Sequence, residues 1–378
     1  VDRRNFLRVS VIGGGGVALG GAAWLEAFSA GAVSGESPYG PLSKTPDANG
    51  VFLPAGFTSR IVARSGQRVA GSNYTWHPAP DGGACFADGS GWIYVSNSEV
   101  DRTGGVGAIV FGADGAIVGA HRTLSGTSRN CAGGATPWNT WLSCEEVDKG
   151  AVFETDPWGR NTGTRRPAMG LFTHEACAAD PDRKVIYMTE DRRDGCFYRF
   201  VPTSWGDLAS GKLEVLVESS GKLSWKPVPD PSAQSRPTRQ QVRGAKVFNG
   251  GEGCYYAGGT CWFTTKGDNR VWAYDAAGNQ LSITYEPGNG APLSGVDNVT
   301  GASNNDLFIA EDGGDMQICL IAADVVAPFL QIANSSGSEI AGPAFNPAGD
   351  RLYFSSQRGT SGSSSGGITY EVTGPFRR

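Results

Sequence analysis

The chain has 378 residues, with 56 glycines, 21 prolines and only 18% charged residues, a mixture that suits many short strands joined by tight turns and excludes a fold built on long amphipathic helices. A formal net charge of -5 leaves no electrostatic footprint for nucleic acid and excludes a phosphate polyanion as partner. Ten tryptophans, eleven tyrosines and 17 phenylalanines supply bulky side chains for interfaces between sheets.

In chain order, Arg3-Arg4-Asn5-Phe6-Leu7-Arg8 leads into a glycine-interrupted apolar run ending near Trp24, and Ala30-Gly31-Ala32 offers a small-residue cleavage site. Residues 1–32 therefore resemble a twin-arginine export signal. The run falls short of the roughly 18 to 20 apolar residues of a spanning helix, so no stable membrane insertion is expected after the signal is removed. The destination expected is secreted or periplasmic, with the twin-arginine (Tat) export machinery as a partner. Residues 33–54 read as a linker or arm, and residues 55–378 as a single repeated domain.

That domain carries six copies of one pattern, an aromatic-led apolar pair running into a small or polar residue and a polar tip. The copies are Tyr94-Val95-Ser96-Asn97, Trp141-Leu142-Ser143-Cys144, Tyr187-Met188-Thr189-Glu190, Trp262-Phe263-Thr264-Thr265, Phe308-Ile309-Ala310-Glu311 and Tyr353-Phe354-Ser355-Ser356. Their first residues lie 47, 46, 75, 46 and 45 positions apart, a period left by four-stranded blades. The expected fold is an all-β, six-bladed β-propeller with an axial metal site. The one long interval holds residues 202–238, read as a loop insertion because prolines cluster there. Ile368-Thr369-Tyr370-Glu371-Val372 reads as a closing strand, since closure hides sheet edges.

A second short element precedes each copy: Gly82-Gly83, Asn130-Cys131, His174-Glu175, Glu252-Gly253, Asp297-Asn298 and Gly342-Pro343. Equivalent positions of successive blades meet around the axis, and a ring of carboxylates repels itself unless protons or cations neutralise it. Glu175 lies in an otherwise apolar and small stretch, where an unpaired carboxylate is costly, and Glu252 stands among glycines that allow close approach. The acidic pairs Glu190-Asp191 and Glu311-Asp312, with Asp297-Asn298, add oxygens toward the six to eight that calcium takes. In Cys144-Glu145-Glu146, strand alternation puts Cys144 and Glu146 on one face, a thiolate and carboxylate able to share a transition metal. The eight cysteines permit disulfides in an oxidising compartment. Cys254 and Cys261 flank a hairpin-like segment and read equally as a bridged pair or as small buried apolar groups.

Tyr94 to Glu99, the run from Thr136 to Glu146, Thr173-His174-Glu175-Ala176, Gly251-Glu252-Gly253 and Glu311-Asp312-Gly313 resemble the secreted PhoX-type bacterial alkaline phosphatases. The likeness extends from about Gly56 to the end, and the tryptophan-rich run into Cys-Glu-Glu is its most specific piece. It implies a six-bladed propeller whose axial site holds two irons bridged by a cysteine, together with calcium ions. Carried over, it makes Cys144 the bridging thiolate, Glu175 and Glu252 iron or calcium ligands, and Asp297, Glu311 and Asp312 calcium ligands. Asn97 and Glu99 match the family's Asn-His-Glu, with Ser98 in the histidine position. Two departures stand out: the family's phosphate-holding arginine is replaced by Gly250, and the chain is shorter than typical members. A planar guanidinium grips phosphate oxygens through two bonds, so its loss removes specificity as well as charge.

The function expected is therefore a secreted metal-dependent hydrolase of small phosphate esters, using iron and calcium. Cys144, Glu175 and Glu252 are the catalytic candidates, and these three with Glu145, Asp297, Asn298, Glu311, Asp312, Asn97, Glu99, Glu190 and Asp191 are the metal candidates. Cations that polarise a phosphoryl group and activate water require no histidine base, which suits a chain with only His77, His121 and His174. The alternatives are a calcium-dependent lactonase-type propeller, which needs no cysteine ligand, and a non-catalytic metal-stabilised binding propeller.

Overall fold

In the computed structural model, which describes residues 31–288, 290–335 and 337–377, each of the six aromatic-led segments is the second strand of an antiparallel blade. Blade 1 comprises Pro80–Asp88, Gly91–Ser98, Gly104–Phe111 and Ile117–Thr127, and blade 2 Asn130–Ala135, Trp141–Glu145, Val152–Thr155 and Thr164–Arg165. Blade 3 comprises His174–Asp180, Val185–Glu190, Gly195–Ser204, Asp207–Ser219 and Lys222–Pro227. The stretch expected as a loop insertion thus carries the outer strands of this blade instead, in a register running from Glu214 opposite Pro227 to Ser219 opposite Lys222. Pro227 ends the outermost strand, an edge position where a missing N–H is tolerated, and Pro229, Pro231 and Pro237 lie in the irregular stretch that follows.

Blade 4 comprises Gly251–Ala257, Thr260–Thr265, Arg270–Asp275 and Gln280–Tyr285, and blade 5 Val296–Gly301, Leu307–Glu311, Gln317–Ala322 and Val325–Ile332. Blade 6 takes Ile340–Phe345, Arg351–Ser356 and Ile368–Thr373 from the end of the chain and its outer strand, Thr58–Arg64, from the beginning. This pairing closes the ring. Within residues 33–54, Val33–Ser34 and Val51–Phe52 lie against the outer strand of blade 5. The export-signal reading falls on residues of which 1–30 lie outside those described, and among the described residues no helix is long and apolar enough to cross a membrane.

The aromatic periodicity works at the blade interfaces. Tyr94 and Tyr353 stack at 5.0 Å across blades 1 and 6, with the Trp92 indole donating to the Tyr353 hydroxyl at 3.0 Å. Phe197 and Phe263 stack at 4.2 Å across blades 3 and 4. Each such buried ring is worth roughly 1.5 to 3 kcal/mol, and the outcome is a rigid scaffold whose innermost strands face one axis.

Candidate metal centre

The innermost strands share a single irregularity. In every blade the first strand gains one residue on the second: Pro80 faces Ser98 but Gly83 faces Ser96, and the same step separates Asn130 from Gly133, His174 from Cys177, Gly251 from Cys254, Val296 from Val299 and Ala341 from Ala344. A β-bulge re-aims the side chain at the extra residue. The residues following the last regular pair are Asp81, Cys131, Glu175, Glu252, Asp297 and Gly342, so five blades aim a carboxylate or a thiol at the axis. Immediately below, Gly82, Ala132, Ala176, Gly253, Asn298 and Pro343 line a constriction. Size is enforced there: a Cβ on Gly82 would lie 2.5 Å from the Ala132 Cα, and one on Gly253 would lie 2.5 Å from the Val299 nitrogen.

Neighbouring blades clamp the bulges through their backbone carbonyls. The Asn97 amide donates to the carbonyls of Cys131 and Ala132 at 3.0 and 2.8 Å, Thr189 donates to that of Glu252, and Thr264 to that of Asp297. Asn97 is thereby committed, because its Oδ1 also accepts from the Trp141 indole and the Ser143 hydroxyl, each at 2.9 Å. Asn298 is likewise committed, donating to Asp297 at 2.8 Å and accepting from the Gly342 N–H at 2.6 Å. Both hold the frame, and the Asn97 oxygen is already taken by two donors.

Three groups each bring ligand atoms within 4.8 Å of one another: Cys131, Glu146 and Glu175; Glu175, Glu252 and Asp297; and, sharing no residue with these, Asp81, Glu99 and Glu339. Glu175 belongs to two of them. Its side chain is 1% exposed, yet neither carboxylate oxygen has a hydrogen-bond partner. Burial drives Glu175, Glu252, Asp81 and Glu339 well above the ordinary carboxylate range, reinforced by the neighbouring acids. Burial also raises Glu146 to about 8 and Asp297 to about 7, although Arg129 and Lys266 respectively pull them down. The Cys131 thiol is held up by burial and then by Asp81 and Glu175. Protons and the rim cations share in neutralising these groups, and a bound metal ion favours their charged forms. Buried oxygens without partners, several carboxylates and one thiol fit a mixed set of hard and intermediate cations.

The thiol in this set is that of Cys131, whereas the sequence reading had selected Cys144. Cys144 is fully buried among Leu142, Val152, Met169 and Phe172, with its sulfur 3.3 Å from that of Cys177. Alternation along Trp141–Glu145 turns its side chain away from the axis, and Glu146, just beyond the strand, reaches the cluster instead. Cys131 carried a sequence signal, since it falls beside a small residue at the same point of its repeat as Glu175 and Glu252. Asp81 shares that position and directly precedes the Gly82-Gly83 element.

Three acids at the ends of second strands are occupied elsewhere. Glu145 accepts the N–H groups of Ser128 at 2.9 Å and Ala151 at 3.2 Å, and Glu311 accepts those of Ser294 at 2.8 Å and Gln317 at 2.9 Å. Glu190 accepts from the Tyr198 hydroxyl at 2.8 Å and the Cys196 N–H at 3.2 Å, and pairs with Arg239 at 3.0 Å. Their recurrence along the sequence reflects one repeated turn-holding role. At the rim, Glu99 binds Arg129 at 2.8 Å and Gln357 at 2.8 Å, Arg129 also holds Glu146 at 2.6 Å, and Asp191 acts electrostatically on Glu146, Glu252 and Asp297. Asp312 pairs with Lys266 at 3.0 Å, and the same ammonium lies 3.1 Å from Glu252. His174, next to Glu175 in sequence, stacks on Phe172 at 3.6 Å, and burial lowers it to about 4, so it is neutral.

Gly250 adopts φ +71, and a Cβ built there would lie 3.3 Å from an Asp191 oxygen and 3.9 Å from the Lys266 Cβ. An arginine at this position would have to take up a left-handed backbone that L side chains rarely adopt.

The family profile described as alkaline phosphatase PhoX matches residues 91–152 and 147–282, together just over half of the chain. Those residues include Cys131, Glu146, Glu175 and Glu252. No curated protein matches the chain by sequence. Among solved structures, PhoX from Pseudomonas fluorescens in complex with vanadate, a transition state analogue, superposes with a TM-score of 0.70 at 16% identity, covering 91% of this chain and 98% of that one. A gluconolactonase from Xanthomonas campestris superposes with a TM-score of 0.52 at 12% identity, over 90% and 99% of the two chains. Regucalcin, a calcium-binding protein from Agrobacterium tumefaciens, gives 0.51 at 13%, over 85% and 96%. At these identities the structures share the fold.

Proposed function

The chain belongs to the alkaline phosphatase PhoX family, and from that premise we propose that its axial cluster is the centre of a secreted, metal-dependent hydrolase of small phosphate esters. The observation that carries this reading is the Glu175 carboxylate, buried without a hydrogen-bond partner and shared between a thiol-containing group and an all-carboxylate group. Cys131, Glu146 and Glu175 would hold iron, and Glu252, Asp297 and the Asp81, Glu99 and Glu339 group would hold calcium. Cations bound there would supply the positive charge that polarises a phosphoryl group. A thiol in the cluster favours this reading over a calcium-dependent lactonase, which needs none.

The protein's own residues set the geometry and the charge. Asn97, Thr189 and Thr264 fix the bulges, so the backbone that carries the ligands is held before ions arrive. Lys266, Arg129 and Arg358 stand part-exposed at the rim, each paired to an acid of the cluster. With Gly250 in place of an arginine, these are the cations positioned to meet the oxygens of an incoming phosphate. The Lys266 Cβ lies 3.9 Å from where a Cβ at 250 would stand. Export through the twin-arginine route, by which folded proteins travel, would let the centre be assembled before secretion.

The test is hydrolysis of p-nitrophenyl phosphate by protein purified from an export-competent host. Turnover that is abolished by chelation and by Glu175→Gln supports the reading. A chelator-insensitive rate, or none toward any phosphate ester despite a full metal complement, overturns it.

A further inference from the structure

Lys266 follows directly after the Thr260–Thr265 strand, and its backbone is fixed: its N–H donates to the Gly250 carbonyl at 2.8 Å, and the Asn269 N–H donates to its own carbonyl at 3.3 Å. The side chain reaches back to the ring, placing the ammonium 3.1 Å from Glu252 and 3.0 Å from Asp312. Among the described residues, the Glu252 carboxylate takes no hydrogen bond from a backbone N–H or a hydroxyl. Its partner is this lysine.

We propose that Lys266 is a resident cation occupying the Glu252 and Asp312 end of the centre, so that uptake of a divalent ion there exchanges the ion for the ammonium. The inference rests on the reading of the axial cluster as a cation site. One ammonium carries a single charge, and it faces Glu252, Asp297 and Asp312, with the unpartnered Glu175 carboxylate grouped with the first two. A dication neutralises more of this charge than the lysine does, and so gains more from the same oxygens. The lysine can leave. Its side chain is 37% exposed, and an ammonium on a flexible four-carbon stem is readily rehydrated at the rim.

Blade 3 provides the contrast. There Glu190 is fully buried and saturated by Tyr198, the Cys196 N–H and Arg239, whose side chain is 16% exposed and also bound to Asp194. That pair is closed on every side, while the Glu252 and Lys266 pair is open toward both the rim and the ring.

The experiment uses the full chain after chelation, with calcium ions as the probe in calorimetric titration at neutral pH. Lys266→Met should bind calcium at least tenfold more tightly than the unaltered protein, and Lys266→Arg should restore the weaker value. Equal affinity in the unaltered and Met proteins overturns the exchange while leaving the cation site standing. Calcium binding by none of them overturns the site and the exchange together. A second measurement needs no variant: acetylation of Lys266 by an amine-reactive ester, followed by mass spectrometry, should accelerate severalfold when calcium is added. Unchanged or slower labelling overturns the proposal.

Discussion

Asp297 offers a quantitative handle on the centre. Its side chain is 5% exposed, and burial lifts its acidity, against the pull of Lys266 and with the push of Asp312 and Asp191, from an ordinary 3.8 to about 7. Below about pH 4 the residue is protonated in both the folded and unfolded chains, and the stability gained from its neutral form is fully present. Between about 4 and about 7 the unfolded chain has released the proton and the folded chain still holds it, so stability falls as pH rises. Each decade of difference in proton affinity is worth about 1.4 kcal/mol, so the whole window amounts to roughly 4 kcal/mol. Asp297→Asn removes this titration. In a chelator, urea unfolding of the unaltered protein should show stability lost between pH 5 and pH 7.5, and the variant should lose on the order of 3 kcal/mol less. Saturating calcium should flatten the dependence in the unaltered protein alone, because the ion takes over from the proton. Parallel pH profiles for the two chelated proteins would refute the reasoning.

Two further substitutions probe the frame. Asn97→Ala strips partners from the Cys131 and Ala132 carbonyls and from the Trp141 indole, and should cost about 2 to 4 kcal/mol in urea unfolding. Arg239→Ala leaves the buried Glu190 without its counter-ion and should cost about 3 to 5 kcal/mol at neutral pH, a loss that Glu190→Gln in the same chain should partly restore.

The six blades were legible because each must bury an aromatic-led second strand against its neighbour, and that requirement repeats at nearly constant spacing. The closing strand was visible because a ring of blades must hide its edges. Glu175, Glu252 and Asp297 were legible as a ring because each falls in the short element that precedes an aromatic-led strand, at matching points of successive blades. Cys131 was obscured by the bulge. An inserted residue leaves no mark in composition, and the family resemblance of the run into Cys-Glu-Glu pointed to Cys144, whose sulfur meets Cys177. Glu145, Glu190 and Glu311 looked like ligands because they recur in step with the blades, but what recurs is a turn whose N–H groups a carboxylate must satisfy. Lys266 and Arg358 could not be placed at the site from the sequence, since the acids they neutralise lie more than a dozen residues away.

The central claim is that axial carboxylates and the Cys131 thiol hold metal ions, and elemental analysis of natively exported protein tests it most directly. Iron and calcium should be present in the unaltered chain, iron should be lost in Cys131→Ser, and Cys144→Ser should keep its full complement. A chain that carries neither element, or one in which Cys144→Ser empties the centre while Cys131→Ser does not, would contradict the account.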